Sequence, residues 1–220
     1  MTKKIKKMSQ LIKELISNPV EFENHGRGNE LLKCFEGGES LNSLRPLLSH
    51  ENSSVRGTAM FVVSELGTGG CQLLDAIIPL VEDSDPHIAW DAMESVFLCS
   101  NEKLPDSFFV VVRKLESPSG PLRRLAMRLI SKASPRQLIG ARNRLEEFGK
   151  TFLIHGYCLQ VLINGKTIDY NSIKQMLDCD NRLVRLYGAI AANRLFQEYP
   201  DLLELASLNT DPDVQKFVSE

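Results

Sequence analysis

The stretch SSVRGTAMFVVSEL, residues 53–66, decides the fold. Its centre, MFVV, has the β-branched and aromatic character that strands favour. It follows two serines of the kind that begin helices. The choice is settled by the rest of the chain, because the frame of Val55 and Ala59, an apolar residue with a small one four places on, returns. Equivalent pairs are Ile88 and Ala92, Leu122 and Ala126, Phe152 and Gly156, and Val184 and Gly188, with a truncated copy beginning at Val214. The anchors are separated by 33, 34, 30, 32 and 30 residues, inside the range of solenoid repeats.

Each anchor is preceded by a second segment with apolar positions three or four apart, such as LNSLRPLLSHE, CQLLDAIIPLVED and DSFFVVVRKLES. Each such segment ends in a polar turn, for example SHENSS, EDSDP or TDPD. The unit is helix, turn, helix, and the small residue lets its two helices approach. MFVV is therefore expected to be helical, tertiary burial overriding a weak local preference. The expected class is all-α, with five full helix pairs and a partial last one.

The segments LRPLLSHENSSVRGTAMFVVSEL and AIIPLVEDSDPHIAWDAMESVFL resemble HEAT repeats. The resemblance is carried by Pro46 and Pro79 in the first helices, the acidic turns, and Val55, Arg56 and Ala59 in a second helix. It covers roughly residues 40–220, and the fourth unit lacks both the arginine and the proline. It implies a right-handed α-solenoid whose second helices line a concave groove. It is specific for fold and not for function. Ahead of it, a lysine-rich helix with Ile5, Met8, Leu11, Ile12, Leu15 and Ile16 on one face and a short helix at 28–36 are read as a cap. The expected organisation is thus a cap over 1–39 and one continuous repeat domain over 40–220.

Composition excludes several classes. The N-terminus is basic, but Lys13 and Glu14 interrupt the apolar run that a signal peptide needs. No apolar run is long enough to span a bilayer. The five cysteines (Cys34, Cys71, Cys99, Cys158, Cys179) contain no C-x-x-C pair, and are read as reduced core residues of a cytoplasmic protein. Nucleophile-elbow, zincin, phosphate-loop and dinucleotide motifs are missing, so no enzyme, cofactor or metal is expected. His87, Asp91 and Glu94 share a helix face and could hold a metal. The plainer reading of the three is a polar ridge.

Binding is the better-supported expectation. If positions equivalent to Val55 and Ala59 face inward, the rotated set faces the groove: Phe61, Glu65, His87, Trp90, Asp91, Glu94, Arg124, Arg128, His155 and Tyr187. Aromatics among charges make up the usual centre of an interface. Charge is uneven behind the net −2: residues 14–102 hold 15 acids and 4 bases, and residues 106–150 hold 10 bases and 4 acids. The chain is similar in size and repeat texture to small bacterial HEAT-type immunity proteins, which would imply a basic toxin domain as partner. Two alternatives are a nucleic-acid-binding protein of the alkylpurine glycosylase architecture and a HEAT-type bilin lyase or chaperone. The acidic helices around Trp90 count against nucleic acid.

Overall fold

In the computed structural model, residues 3–102 and 104–219 are described, and among them every regular element is helical. MFVV lies in the middle of helix α5 (Ser53–Glu65), with Met60, Val62 and Val63 buried. The cap is Asn52, one residue before the serines, whose side chain accepts from the Ser54 amide. The chain divides into two compact units, 1–99 and 100–220.

In the first unit, helices α1 (Lys3–Ser17), α2 (Pro19–Asn24) and α3 (Gly28–Glu36) precede the first repeat pair. Met8, Leu11 and Leu15 are buried as expected, but Ile16 is exposed, and Ile5 lies outside the residues whose side chains are described. The first helices of the pairs are broken pieces. Residues 41–48 run as a 3-10 turn into α4 (Arg45–Leu48), and 67–82 run through 3-10 turns around α6 (Leu74–Ile77). Pro46 and Pro79 stand in these pieces, where a missing amide prevents a regular ladder. The second helices are longer: α5 and then α7 (Pro86–Glu102). Val55, Ala59, Ile88 and Ala92 are all within 2% of complete burial, as the repeat frame requires.

One expectation fails here. Cys71 and Cys99 are joined by a disulfide, their Cα atoms 5.2 Å apart, and the other three cysteines take no part in it. A separation of 28 residues carries no short motif, so only the repeat packing brings the two together. The bond withdraws the cysteine argument for a reducing compartment. Among the described residues, no helix is long and apolar enough to cross a membrane.

The second unit begins with a broken element, 105–116, containing α8 (Phe109–Arg113), followed by α9 (Gly120–Lys132) and α10 (Pro135–Glu146). Then come α11 (Leu153–Asn164), α12 (Tyr170–Leu177), α13 (Arg182–Arg194), α14 (Asp201–Ser207) and α15 (Pro212–Ser219). Helix α13 is the axis of this unit, touching α9, α11, α12, α14 and α15, and every residue from Leu186 to Ala192 is buried. Gly188 permits the contact with α12, since a Cβ there would lie 2.9 Å from the Leu177 amide nitrogen. Arg194 at its end donates to the carbonyls of Ile130, Ser131 and Ala133, capping the C-terminus of α9. Asp213 on α15, itself buried, receives Arg123 and Arg124 from α9 and Arg182 from α13.

The fourth pair departs from the expected frame. Phe152 and Gly156 were placed inward, yet both are partly exposed, and the buried positions of α11 are His155, Cys158, Leu159 and Leu162. The register is slipped by three residues. A Cβ on Gly156 would meet nothing within 4 Å, so no helix packs against it. The close approach is instead at Gly140 on α10, where a Cβ would sit 2.5 Å from the Pro105 carbonyl carbon.

Two measurements check this packing. Asp213→Ala leaves three guanidinium groups without their shared acceptor and should cost about 3 kcal/mol in denaturant unfolding, whereas Asp75→Ala, at an exposed pair with Arg45, should leave the midpoint unchanged. Gly156→Ala should stabilise the protein by up to about 1 kcal/mol through helix propensity, while Gly140→Ala should lower its melting temperature; the opposite order would mean the register described is wrong.

Candidate binding surface

The acidic face is assembled by α5 and α7. Phe61 and Glu65 lie one turn apart on the first, and His87, Trp90, Asp91 and Glu94 follow along the second. Glu65, His87 and Glu94 are exposed, and Phe61, Trp90 and Asp91 are half-buried. Phe61 packs its ring over Gly28 at the start of α3 and edges a cleft of about 250 Å³ shared with Glu23, Asn29, Gly57 and Thr58. It is thus both a packing residue and part of a rim.

Asp91 shows that α5 and α7 bring these groups together. Burial pushes its carboxyl above the usual carboxylate range, and the fields of Glu94, Asp85 and Glu65 push it further, opposed by His87. Other acids of the same unit behave in the opposite way. The Arg45 hydrogen bond holds Asp75 low. Burial opposes ionisation of Asp83, yet the bidentate Arg56 contact, at 2.6 and 2.9 Å, holds it low as well. Among the described residues no set of three or more His, Cys, Asp or Glu is placed to hold a metal ion, His87, Asp91 and Glu94 included.

The four remaining site residues belong to the second unit, and two of them are misplaced by the sequence. Arg124 is half-buried and engaged by Asp213, 3.0 Å away. Arg128 is half-buried on α9. His155 and Tyr187 are 1% and 0% exposed, so neither lines a groove. The three-residue slip carries His155 into the core, and α13 has no open face at Tyr187. The two form a buried chain, Nδ1 of His155 lying 2.8 Å from the Tyr187 hydroxyl and Nε2 3.2 Å from a Glu116 oxygen. An ionised Glu116 only accepts, so the neutral ring keeps its proton on Nε2 and accepts from Tyr187. Burial lowers the His155 pKa despite Glu116, raises that of Tyr187, and pushes the Cys158 thiol up to about 12. These are groups held neutral, suited to packing rather than proton transfer.

The sequence reading missed an exposed apolar patch between α10 and α11. Phe148, Leu153, Ile154 and Tyr157 are 40% to 68% exposed, and Phe109 stacks on Phe148, which meets Phe152 edge-on. The signal was available: LIHGYCLQVLIN is apolar all round, which a helix with one solvent face does not need.

No family model and no curated protein matches the chain. Solved structures do. A designed armadillo repeat protein superposes with a TM-score of 0.53 at 16% identity, over 97% of this chain and 96% of its own. A second, solved in complex with the peptide (KR)4, gives 0.52 at 14% identity, over 97% and 95%. An engineered protein from a structural genomics consortium gives 0.52 at 14%, over 97% and 94%. At such identity the likeness defines the fold class, an all-α helical-repeat solenoid.

The buried histidine gives a pH test. Its folded pKa lies below the ordinary value of about 6.5, so the unfolded chain binds the proton first as pH falls. Stability should be fully present above about pH 6.5 and decline as the solution is acidified through the folded pKa. Denaturant midpoints should show that decline flattened in His155→Gln; identical slopes in both proteins would remove His155 as its source.

Proposed function

We propose that this chain is a non-enzymatic protein-binding scaffold whose first unit takes a basic segment of a partner protein on the face formed by α5 and α7. The observation that carries the reading is the raised carboxyl of Asp91, surrounded by Glu65, Asp85 and Glu94. A partner lysine or arginine placed there relieves repulsion that the folded chain otherwise bears. Trp90, half-buried beside it, supplies the amphipathic surface typical of interface centres. The (KR)4 peptide bound by one designed armadillo protein supports the same kind of ligand on a related fold.

The finer reading is a bacterial immunity protein that neutralises a cognate toxin. A nuclease-type toxin presents cations shaped for phosphate, and a carboxylate cluster covers such a site by standing in for phosphate. A stoichiometric complex with a basic toxin domain, lost on Glu94→Lys, is its test.

For the scaffold itself the probe is a labelled (KR)4 peptide followed by anisotropy. Truncating a central interface aromatic costs about 2 kcal/mol, so Trp90→Ala should weaken binding roughly thirtyfold, at about 1.4 kcal/mol per tenfold. Affinity should also fall as acidification protonates Asp91, within a range displaced upward from that of an ordinary carboxylate. Unchanged affinity in a folded Trp90→Ala, Glu94→Lys double variant would sink the proposal.

A further inference from the structure

Helix α11 is apolar on both sides. Its inner face carries His155, Cys158, Leu159 and Leu162, all buried. Its outer face carries Leu153 at 64% exposure and Tyr157 at 68%. Exposed apolar side chains scattered singly need no explanation, but a contiguous group marks a contact. Tyr157 stands as a ridge between two clefts. One, of about 540 Å³, has Phe152, Leu153 and Gly156 in its lining; the other, of about 360 Å³, has Val161, Ile168 and Met176. Packing does not demand glycine at 156, where a side chain would meet nothing within 4 Å, although a glycine inside a helix weakens it. The bare backbone leaves the larger cleft its depth.

Arginines stand along one edge of this face. The Arg113 guanidinium lies 5.7 Å from the Phe152 ring centre, and that of Arg144 lies 5.8 and 5.5 Å from those of Phe109 and Phe148. Stacking holds both along the edge of the apolar surface; Arg113 keeps its N–H groups for an outside acceptor, and Arg144, which gives one to Glu147, keeps the others. Arg123 and Arg124 are taken up by Asp213, so the basic surplus of 106–150 reaches solvent mainly around α8 and α10. Two hollows along one helix, separated by an aromatic ridge and the larger of them edged by arginine, fit the apolar stripe and acidic flank of another helix.

We infer that the outer face of α11 docks an amphipathic helix of an acidic partner protein, its apolar side chains entering the clefts on either side of Tyr157 and its carboxylates meeting Arg113 and Arg144. Single-stranded nucleic acid fits less well, because the exposed aliphatic side chains of Leu153 and Ile154 offer nothing to a phosphate backbone. This surface is separate from the acidic face of the first unit, so each can fail alone.

The test uses the full chain and labelled helical peptides of about five turns, one with a leucine stripe and glutamates elsewhere, the other with lysines for glutamates. The acidic peptide should bind saturably and at least about tenfold tighter than its lysine counterpart. Leu153→Ser with Tyr157→Ser should weaken it at least about tenfold; both positions are exposed, so the melting temperature should hold. Gly156→Leu should fill the cleft, losing affinity while keeping or raising the melting temperature. Four results would overturn the inference. The lysine peptide could bind as well as the acidic one, or the double variant could bind like the wild type. An oligothymidylate could compete for the face with the acidic peptide. Sedimentation showing self-association of the wild type that the double variant abolishes would assign the face to a second copy of the chain and overturn it equally.

Discussion

An arginine one residue after the apolar anchor of a second helix ties the repeats together. Arg56 donates to the carbonyls of His50 and Glu51, Arg185 to those of Cys179 and Asp180, and Arg123 to that of Ser117. Each closes the turn behind it and then reaches an aspartate ahead: Asp83 for Arg56 and Asp211 for Arg185. The acids that receive them are nearly buried, so the pairs carry more weight than surface ion pairs do. The fourth pair has no aspartate in the matching turn. Arg123 therefore passes to Asp213, and α9 packs on α13 and α15, with α11 held by α10 and α13.

That displacement explains how far the sequence could be read. In the first unit, where the ladder is regular, the anchors and the helical state of MFVV follow from periodicity, while the helix start lies one residue before the serines, at Asn52. The helix expected at 28–36 is α3. The proline-broken first helices were visible as helical segments but not as 3-10 pieces, because side-chain spacing does not distinguish the two. In the fourth pair, the frame of Phe152 and Gly156 imitated the repeat with the right residue types in the wrong register. A three-residue slip moves the inward face by about 60° around the helix, which put His155 in the core and left Leu153 and Tyr157 outside. Tyr187 was misread for another reason: no pattern within α13 says that five other helices surround it. Four acidic-face residues, Glu65, His87, Asp91 and Glu94, do converge, because they lie on the two helices whose register was right.

The two units divide the chemistry of the chain. The first concentrates carboxylates around an indole, and the second places aromatic and aliphatic side chains under arginine. The buried pair of His155 and Tyr187 keeps its imidazole and phenol neutral.

The Asp213 junction also bears on the order in which the protein acquires its shape. The first unit is closed by partners near in sequence: Arg56 with Asp83 across 27 residues, Cys71 with Cys99 across 28, Arg45 with Asp75 across 30. The second is locked by a contact spanning 90 residues. Local closures form early and distant ones late, so during synthesis the first unit can consolidate while the second waits for α15 to leave the ribosome. Until then α9 and α13 lack the acid that joins them, and the apolar surface of α13 is open to misassociation.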